Sequence, residues 1–202
     1  MYREKKMNAR IEKYLIGYSF IQVFAWLTAF IFINVDYEVS FGIILIFQII
    51  SLVETFHAYK KWNNSSPFFS FIQTAARLNI LFLAFRLAVQ FAFDDLNYFD
   101  EVVTIMFHVW CLAEIIRYAY YLSQLLKKEI KIVSWLRYSA FIILYPIGVA
   151  CEFFIMYLVF INNNFGLKII LIVIAIAYIF LFPRLYLHLL KQRKLKLNSN
   201  NK

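Results

Sequence analysis

Along most of this chain, apolar residues neither alternate with polar ones nor recur as a single stripe; they run on. A segment that is hydrophobic all round is a buried or membrane-spanning helix. Six such runs, over approximately 13–33, 41–59, 68–93, 101–126, 135–161 and 166–190, approach the ~20 residues that a helix needs to cross a hydrocarbon core of ~30 Å. The connections between them are short, so consecutive helices should be antiparallel neighbours. The pattern predicts an all-α membrane protein, a single bundle of six transmembrane helices forming one domain over residues 1–202. The first run continues from Tyr14 to Ile33, well past the ~7–15 apolar residues of a cleavable signal, which predicts a retained span. No internal repeat of the kind that builds inverted-repeat transporters stands out.

Composition agrees: the chain is 63% hydrophobic and 20% aromatic, far above a soluble domain. A net charge of +9 raises the question of nucleic acid. The basic residues, however, sit at the ends of the apolar runs, where they set orientation, and nucleic acid is not an expected partner. Arg3, Lys5, Lys6, Arg10 and Lys13 precede the first span, and Lys60 and Lys61 follow the second. Lys127, Lys128 and Lys131 follow the fourth; Lys191, Arg193, Lys194, Lys196 and Lys202 follow the sixth. The intervening connections carry Asp36 and Glu38, then Asp94, Asp95, Asp100 and Glu101. Lys and Arg mark the cytosolic side, so both termini are predicted to be cytosolic, as six spans require. Cys111 and Cys151 fall inside spans and read as small buried hydrophobes.

Ionisable groups inside spans are costly and usually face the bundle interior. This chain has Glu54, Arg77, Arg86, His108, Glu114, Arg117 and Glu152 there. Arg77 and Arg117 lie nine residues from the cytosolic ends of their spans and Tyr145 ten. The three are therefore expected in one layer roughly 14 Å below that boundary. Glu152 follows Tyr145 by seven residues, two helical turns, so both share a face about 10 Å apart along the axis. Glu114 and Arg117 are spaced for an i,i+3 pair. For Arg77, Glu114 and Arg117, a charge network that fixes packing is as good a reading as a substrate role. His57, His108 and His188 read as structural or interfacial. Pro146 removes a backbone donor next to Tyr145 and disturbs the turn before it, and Gly148 permits close approach of a helix or ligand. No HExxH, GxSxG, phosphate-binding loop or Cys/His cluster points to a metal or cofactor. A Tyr/Glu pair in a pocket opening toward a basic face suits an acyl tail with an anionic head.

The stretch "LRYSAFIILYPIGVACE" (136–152) resembles the LYPxGxxxE region of the very-long-chain 3-hydroxyacyl-CoA dehydratases, also called protein-tyrosine-phosphatase-like proteins. "YLIGYSFIQVFAWL", "VETFH", "QTAAR", "EIIRYAYY" and "FPRLYLHLLKQRK" agree in the same order across the six spans. The resemblance implies that Tyr145 and Glu152 are the catalytic pair, removing water from a (3R)-3-hydroxyacyl-CoA to give the trans-2-enoyl-CoA in the fatty-acid elongation cycle. It implies an endoplasmic reticulum membrane, an acyl-CoA substrate, and the condensing enzyme and reductases of elongation as partners.

On this reading Glu152 takes the C2 proton and Tyr145 donates to the leaving hydroxyl, or the roles are reversed or combined. Gln73, Arg77, Glu114, Arg117 and Tyr138 are expected to support the pocket. Lys127, Lys128, Lys131 and Arg137 are candidates for the CoA phosphates by charge and side. The depth of the acyl pocket depends on side chains such as Phe20, Phe24, Phe85 and Phe154. One departure matters: some animal members carry a Cys after the His of span two, where this chain has Ala58. The local "HAYKKWNNSSP" then holds no CxxxxxR of the phosphatase type. A non-catalytic elongase scaffold, a lipid-binding membrane protein and a transporter are the competing functions.

Overall fold

A computed structural model describes residues 8–63, 65–90, 98–128, 130–163 and 165–199. Arg3, Lys5, Lys6, Asp94, Asp95 and Lys202 lie outside the described residues, as do the side chains of His188 and Lys196. Among the described residues every regular element is a helix: α1 (Ala9–Phe32), α2 (Tyr37–Ile50), α3 (Val53–Tyr59), α4 (Pro67–Gln90), α5 (Phe99–Leu125), α6 (Lys131–Ser139), α7 (Phe141–Ile161) and α8 (Phe165–Ser199). Six segments are long and apolar enough to cross a membrane, with α2 and α3 forming one of them. The six-span expectation therefore holds.

Local chemistry sets the ends. Asn8 caps α1 by accepting from the Arg10 amide at 3.0 Å, and Asp36 caps α2 by accepting from Val39 at 3.0 Å. These side chains satisfy amides that a helix start leaves unpaired. At the ends of α3 and α5 the chain turns through a left-handed residue, Lys61 (φ 57°) and Lys127 (φ 53°). The amides beyond them reach back to carbonyls five residues earlier, Trp62 to His57 at 2.8 Å and Lys128 to Ser123 at 3.0 Å. That is a Schellman closure with Lys in the place Gly usually takes. A cation there also suits the negative end of the helix dipole.

Two elements depart from the sequence reading. The second span is broken at Ser51–Leu52, where the Ser51 hydroxyl turns back on the Phe47 carbonyl at 2.8 Å. Ser at such a site competes with the helical ladder and bends it. The fifth span begins at Phe141 rather than at 135, because Trp135–Ser139 belongs to the separate helix α6, which ends in a turn at Ala140. Helix α6 exposes Ile132 and Trp135 one turn apart, on a short segment that also carries Lys131 and Arg137. This apolar-and-basic division suits the membrane–water boundary, where Trp is favoured. A hydrophobic span pattern does not separate a boundary helix from the span it precedes.

The helices pack in two compact units. The first comprises residues 1–81 and 114–130, thus α1 to α3 with the adjoining parts of α4 and α5. Trp26, Ile44, Ile80, Leu81 and Tyr118 are buried in it, and the Ser40 hydroxyl ties α2 to the Ala29 carbonyl of α1 at 3.0 Å. The second comprises residues 82–113 and 131–202, built around Leu87, Val103, Met106, Phe107, Trp110, Ile155 and Val159. Gly148 of α7 lies here beside α5. A methyl group on it would meet Val109 Cγ1 at 3.5 Å and Trp110 Nε1 at 3.7 Å, ordinary contact distances. Gly148→Ala is therefore expected to fold normally and to gain about 0.5–1 kcal/mol from the helix preference for Ala over Gly, read as a raised melting temperature in detergent.

Of the side chains named for the depth of an acyl pocket, Phe20, Phe24 and Phe85 are exposed, at 62%, 67% and 53%, and Phe154 is half-buried. Large apolar side chains on the outside of spanning helices meet lipid, and amphipathic periodicity cannot reveal which ones when every face is apolar.

Candidate active site

Tyr145 and Glu152 belong to the second unit, and both contact α8. Glu152 is buried at 7% exposure, and its Oε2 accepts a hydrogen bond of 2.8 Å from the Tyr178 hydroxyl. Tyr145, half-buried, stacks on Phe182 with centroids 5.0 Å apart and planes 13° from parallel, and on Tyr186 at 6.3 Å and 6°. The shared face expected from the spacing of seven is thus realised against one neighbouring helix. Two of the three stacked residues are followed by a proline inside the helix, Pro146 after Tyr145 and Pro183 after Phe182. A proline there removes one ladder hydrogen bond and crowds the preceding turn, which fixes how that turn presents its ring.

Arg77, Glu114 and Arg117 are brought together in the first unit, with Glu54 as a fourth member. Glu114 bridges the two guanidiniums: its Oε1 takes a short contact from Arg77 Nη1, and its Oε2 lies 2.6 Å from Arg117 Nη2. Arg117 also reaches Glu54 Oε1 at 3.2 Å and donates to the Tyr118 hydroxyl at 2.9 Å. That hydroxyl lies 3.2 Å from Ser51 Oγ, at the break in the second span. Two carboxylates and two guanidiniums are thus matched within a mostly buried cluster. This is how ionic groups become tolerable away from water. Tyr18 and His57 pack edge-on nearby, and His57 Nε2 is 3.1 Å from the Tyr14 hydroxyl. A structural role for His57 agrees with that setting.

Gln73 lies one turn before Arg77 on α4 and is exposed; Tyr138 is half-buried on α6. Lys127, Lys128 and Lys131 are exposed, and Arg137 is half-buried. His108 Nδ1 is 2.8 Å from the Thr104 carbonyl on its own helix. Arg86 donates to Asn163 Oδ1 at 2.6 Å, and Gln90 to the Asn162 carbonyl at 3.3 Å, tying the end of α4 to the end of α7.

Tyr145 and Glu152 thus set a phenol and a buried carboxyl group on one helix, both against α8. A family model described as "Protein tyrosine phosphatase-like protein, PTPLA" matches residues 48–199. The chain belongs to the protein tyrosine phosphatase-like protein family. It is 29% identical over 154 residues to the probable very-long-chain (3R)-3-hydroxyacyl-CoA dehydratase of Schizosaccharomyces pombe, covering 71% of this chain and 72% of that protein. Against very-long-chain (3R)-3-hydroxyacyl-CoA dehydratase 2 of Mus musculus it is 30% identical over 164 residues, covering 73% and 62%. Against dehydratase 1 of the same organism it is 29% identical over 164 residues, covering 73% and 56%. The chain therefore spans little more than half the length of the mouse relatives. No solved structure matches it.

The region matched by the protein tyrosine phosphatase-like family model contains Glu54, Arg77, Glu114, Arg117, Tyr145 and Glu152, and also Tyr178, which sequence reasoning did not single out. The signal available was a stripe of aromatics, Tyr178, Phe182 and Tyr186, at intervals of four on α8. In a chain with 14 Tyr and 23 Phe that stripe does not stand out. A phosphatase of the cysteine type would need a CxxxxxR loop. One CxxxxxR spacing exists, Cys111 to Arg117, but it lies inside the continuous helix α5. Cys111 is fully buried, Arg117 is engaged by Glu54 and Glu114, and helical amides already bonded along the ladder cannot cradle a phosphate.

Proposed function

We propose that this chain removes water from a long-chain (3R)-3-hydroxyacyl-CoA to form the trans-2-enoyl-CoA, with Tyr145 and Glu152 as the acid–base pair, in the fatty-acid elongation cycle. The observation that carries the reading is the buried Glu152, held by a phenol from α8 on the face of α7 that also presents Tyr145. The names of the similar proteins add the substrate class and its stereochemistry.

The elimination proceeds by two proton movements. Glu152, as carboxylate, takes a proton from C2, which the adjacent thioester carbonyl acidifies. The electron pair of that C–H bond becomes the C2–C3 double bond as the C3–O bond breaks. The departing oxygen takes the Tyr145 phenolic proton and leaves as water. Return of the proton from Glu152 to the Tyr145 oxygen restores the starting state, so one substrate gives one enoyl thioester and one water. General acid–base assistance of this kind supplies about 10²–10⁴-fold each. A metal or cofactor has no part in the scheme.

Arg77, Glu114 and Arg117 serve as structural support in this proposal, since each guanidinium already has a carboxylate partner. The CoA phosphates remain assigned to Lys127, Lys128, Lys131 and Arg137, of which Lys131 and Arg137 lie on the boundary helix α6. The condensing enzyme and reductases of elongation are the proposed partners, and the endoplasmic reticulum membrane the proposed site. Both termini face the cytosol in this scheme. Accordingly, a glycosylation acceptor in a lengthened loop replacing residues 34–36 is expected to be modified, and one appended after residue 202 to remain unmodified. The opposite pattern would invert the orientation.

A further inference from the structure

The α7–α8 pairing presents α8 residues to both members of the proposed catalytic pair. On α8, Tyr178, Phe182 and Tyr186 are spaced i, i+4 and i+8, one stripe of a helix. Running along that stripe, Tyr178 donates to Glu152, and Phe182 and Tyr186 lie flat against Tyr145. The order is reversed relative to α7, as an antiparallel pair requires. Seven residues of α7 separate the two catalytic candidates, about 10 Å, and the six from Tyr178 to the midpoint of Phe182 and Tyr186 span about 9 Å. The two helices are thus in register at both ends of the site.

Resting on the dehydratase reading, we propose that Tyr178 is a positioning residue of the reaction, whose hydroxyl fixes the Glu152 carboxylate for the C2 proton. A carboxylate on a two-carbon stem can rotate about three bonds. A charge-assisted bond to one oxygen restricts that rotation and sets the direction of the other oxygen. The donor itself is fixed: the Tyr178 ring packs edge-on against Phe153 at 5.6 Å and 77°. Tyr178 takes no proton in the cycle and need not touch the substrate. Its contribution is orientation, the kind of effect in which a displacement of about 1 Å costs about 10²-fold. Phe182 and Tyr186 act in the same sense on the Tyr145 ring, leaving its hydroxyl at the edge of a stack rather than free to swing.

The test is Tyr178→Phe in full-length protein purified in detergent, assayed with a long-chain (3R)-3-hydroxyacyl-CoA beside wild type. Phenylalanine keeps the ring contact with Phe153 and removes only the donor, and an unchanged melting temperature within a degree or so is the check on folding. The expected result is a fall in kcat of about 10–100-fold with KM unchanged. Infrared difference spectra supply the readout that a merely structural tyrosine would not move. The carboxyl bands that vanish in Glu152→Gln should shift in frequency in Tyr178→Phe, because their hydrogen-bond donor is gone. An active wild type with undiminished kcat in Tyr178→Phe, or carboxyl bands that do not shift, overturns the positioning role alone. A folded wild type that turns over no hydroxyacyl-CoA overturns the reaction, and the positioning role with it.

Discussion

Glu152→Gln is expected to reduce kcat for hydroxyacyl-CoA dehydration by about 10²–10⁴-fold, the range for losing a positioned acid–base group. Gln matches Glu in shape and can still accept from the Tyr178 hydroxyl through its amide oxygen. It cannot accept a proton from C2. The buried site should therefore remain folded while losing its chemistry. Tyr145→Phe is the complementary change: the ring stack with Phe182 and Tyr186 survives, and only the hydroxyl is lost. A comparable fall is expected, since hydroxide would then depart without a proton. The double variant should be little worse than the more damaged single one, because groups acting in one step are not additive. Enoyl-CoA formation under saturating substrate measures all three. Independent, multiplying losses would mean that the two residues do not share a step.

The largest effect on stability is expected at Glu114, far more than at either catalytic candidate. Glu114→Gln removes the carboxylate that Arg77 and Arg117 share, while Arg117 keeps Glu54, and so takes one negative charge out of the buried cluster. Breaking a buried ion pair by removing one partner costs about 3–5 kcal/mol, mostly the penalty of the stranded charge. Glu114 is 3% exposed, so water offers little relief. The decisive comparison is with the double variant Arg77→Met/Glu114→Gln, which removes one charge of each sign and leaves Glu54 with Arg117. That protein is expected to melt closer to wild type than Glu114→Gln does, although it carries one more substitution. Thermal unfolding in detergent decides it. If the double variant melts at or below the single, the cluster is not held by charge balance.

What could be read from sequence followed from which signals hydrophobicity carries. Six spans were legible because length and apolarity are properties of a segment, independent of its neighbours. The meeting of Arg77, Glu114 and Arg117 was also legible in outline, since charges within spans must find partners. Glu54 as the fourth member was not, because it joins from the short helix beyond the Ser51 break, and that break has no proline or glycine to announce it. The start of the fifth span was misplaced by the end of the boundary helix α6, whose Trp135 and Leu136 count as apolar although Trp135 is exposed. Phe20, Phe24 and Phe85 show the same difficulty in another form: hydropathy cannot tell a lipid-facing aromatic from a pocket wall. Tyr145 and Glu152 could be placed on one face by periodicity alone. Which helix they face is set by tertiary packing, which periodicity does not carry, and Tyr178 lies on that helix.

The central claim is that this chain itself performs the elimination. Its most direct test is purified full-length protein, shown folded by its thermal transition, incubated with (3R)-3-hydroxyacyl-CoA thioesters over a range of chain lengths and with the (3S) forms as control. The prediction is trans-2-enoyl-CoA from the (3R) series, made without added metal or cofactor, and none from the (3S) series. Folded protein that forms no enoyl-CoA at any chain length would contradict the account and leave a non-catalytic member of the elongation assembly in its place.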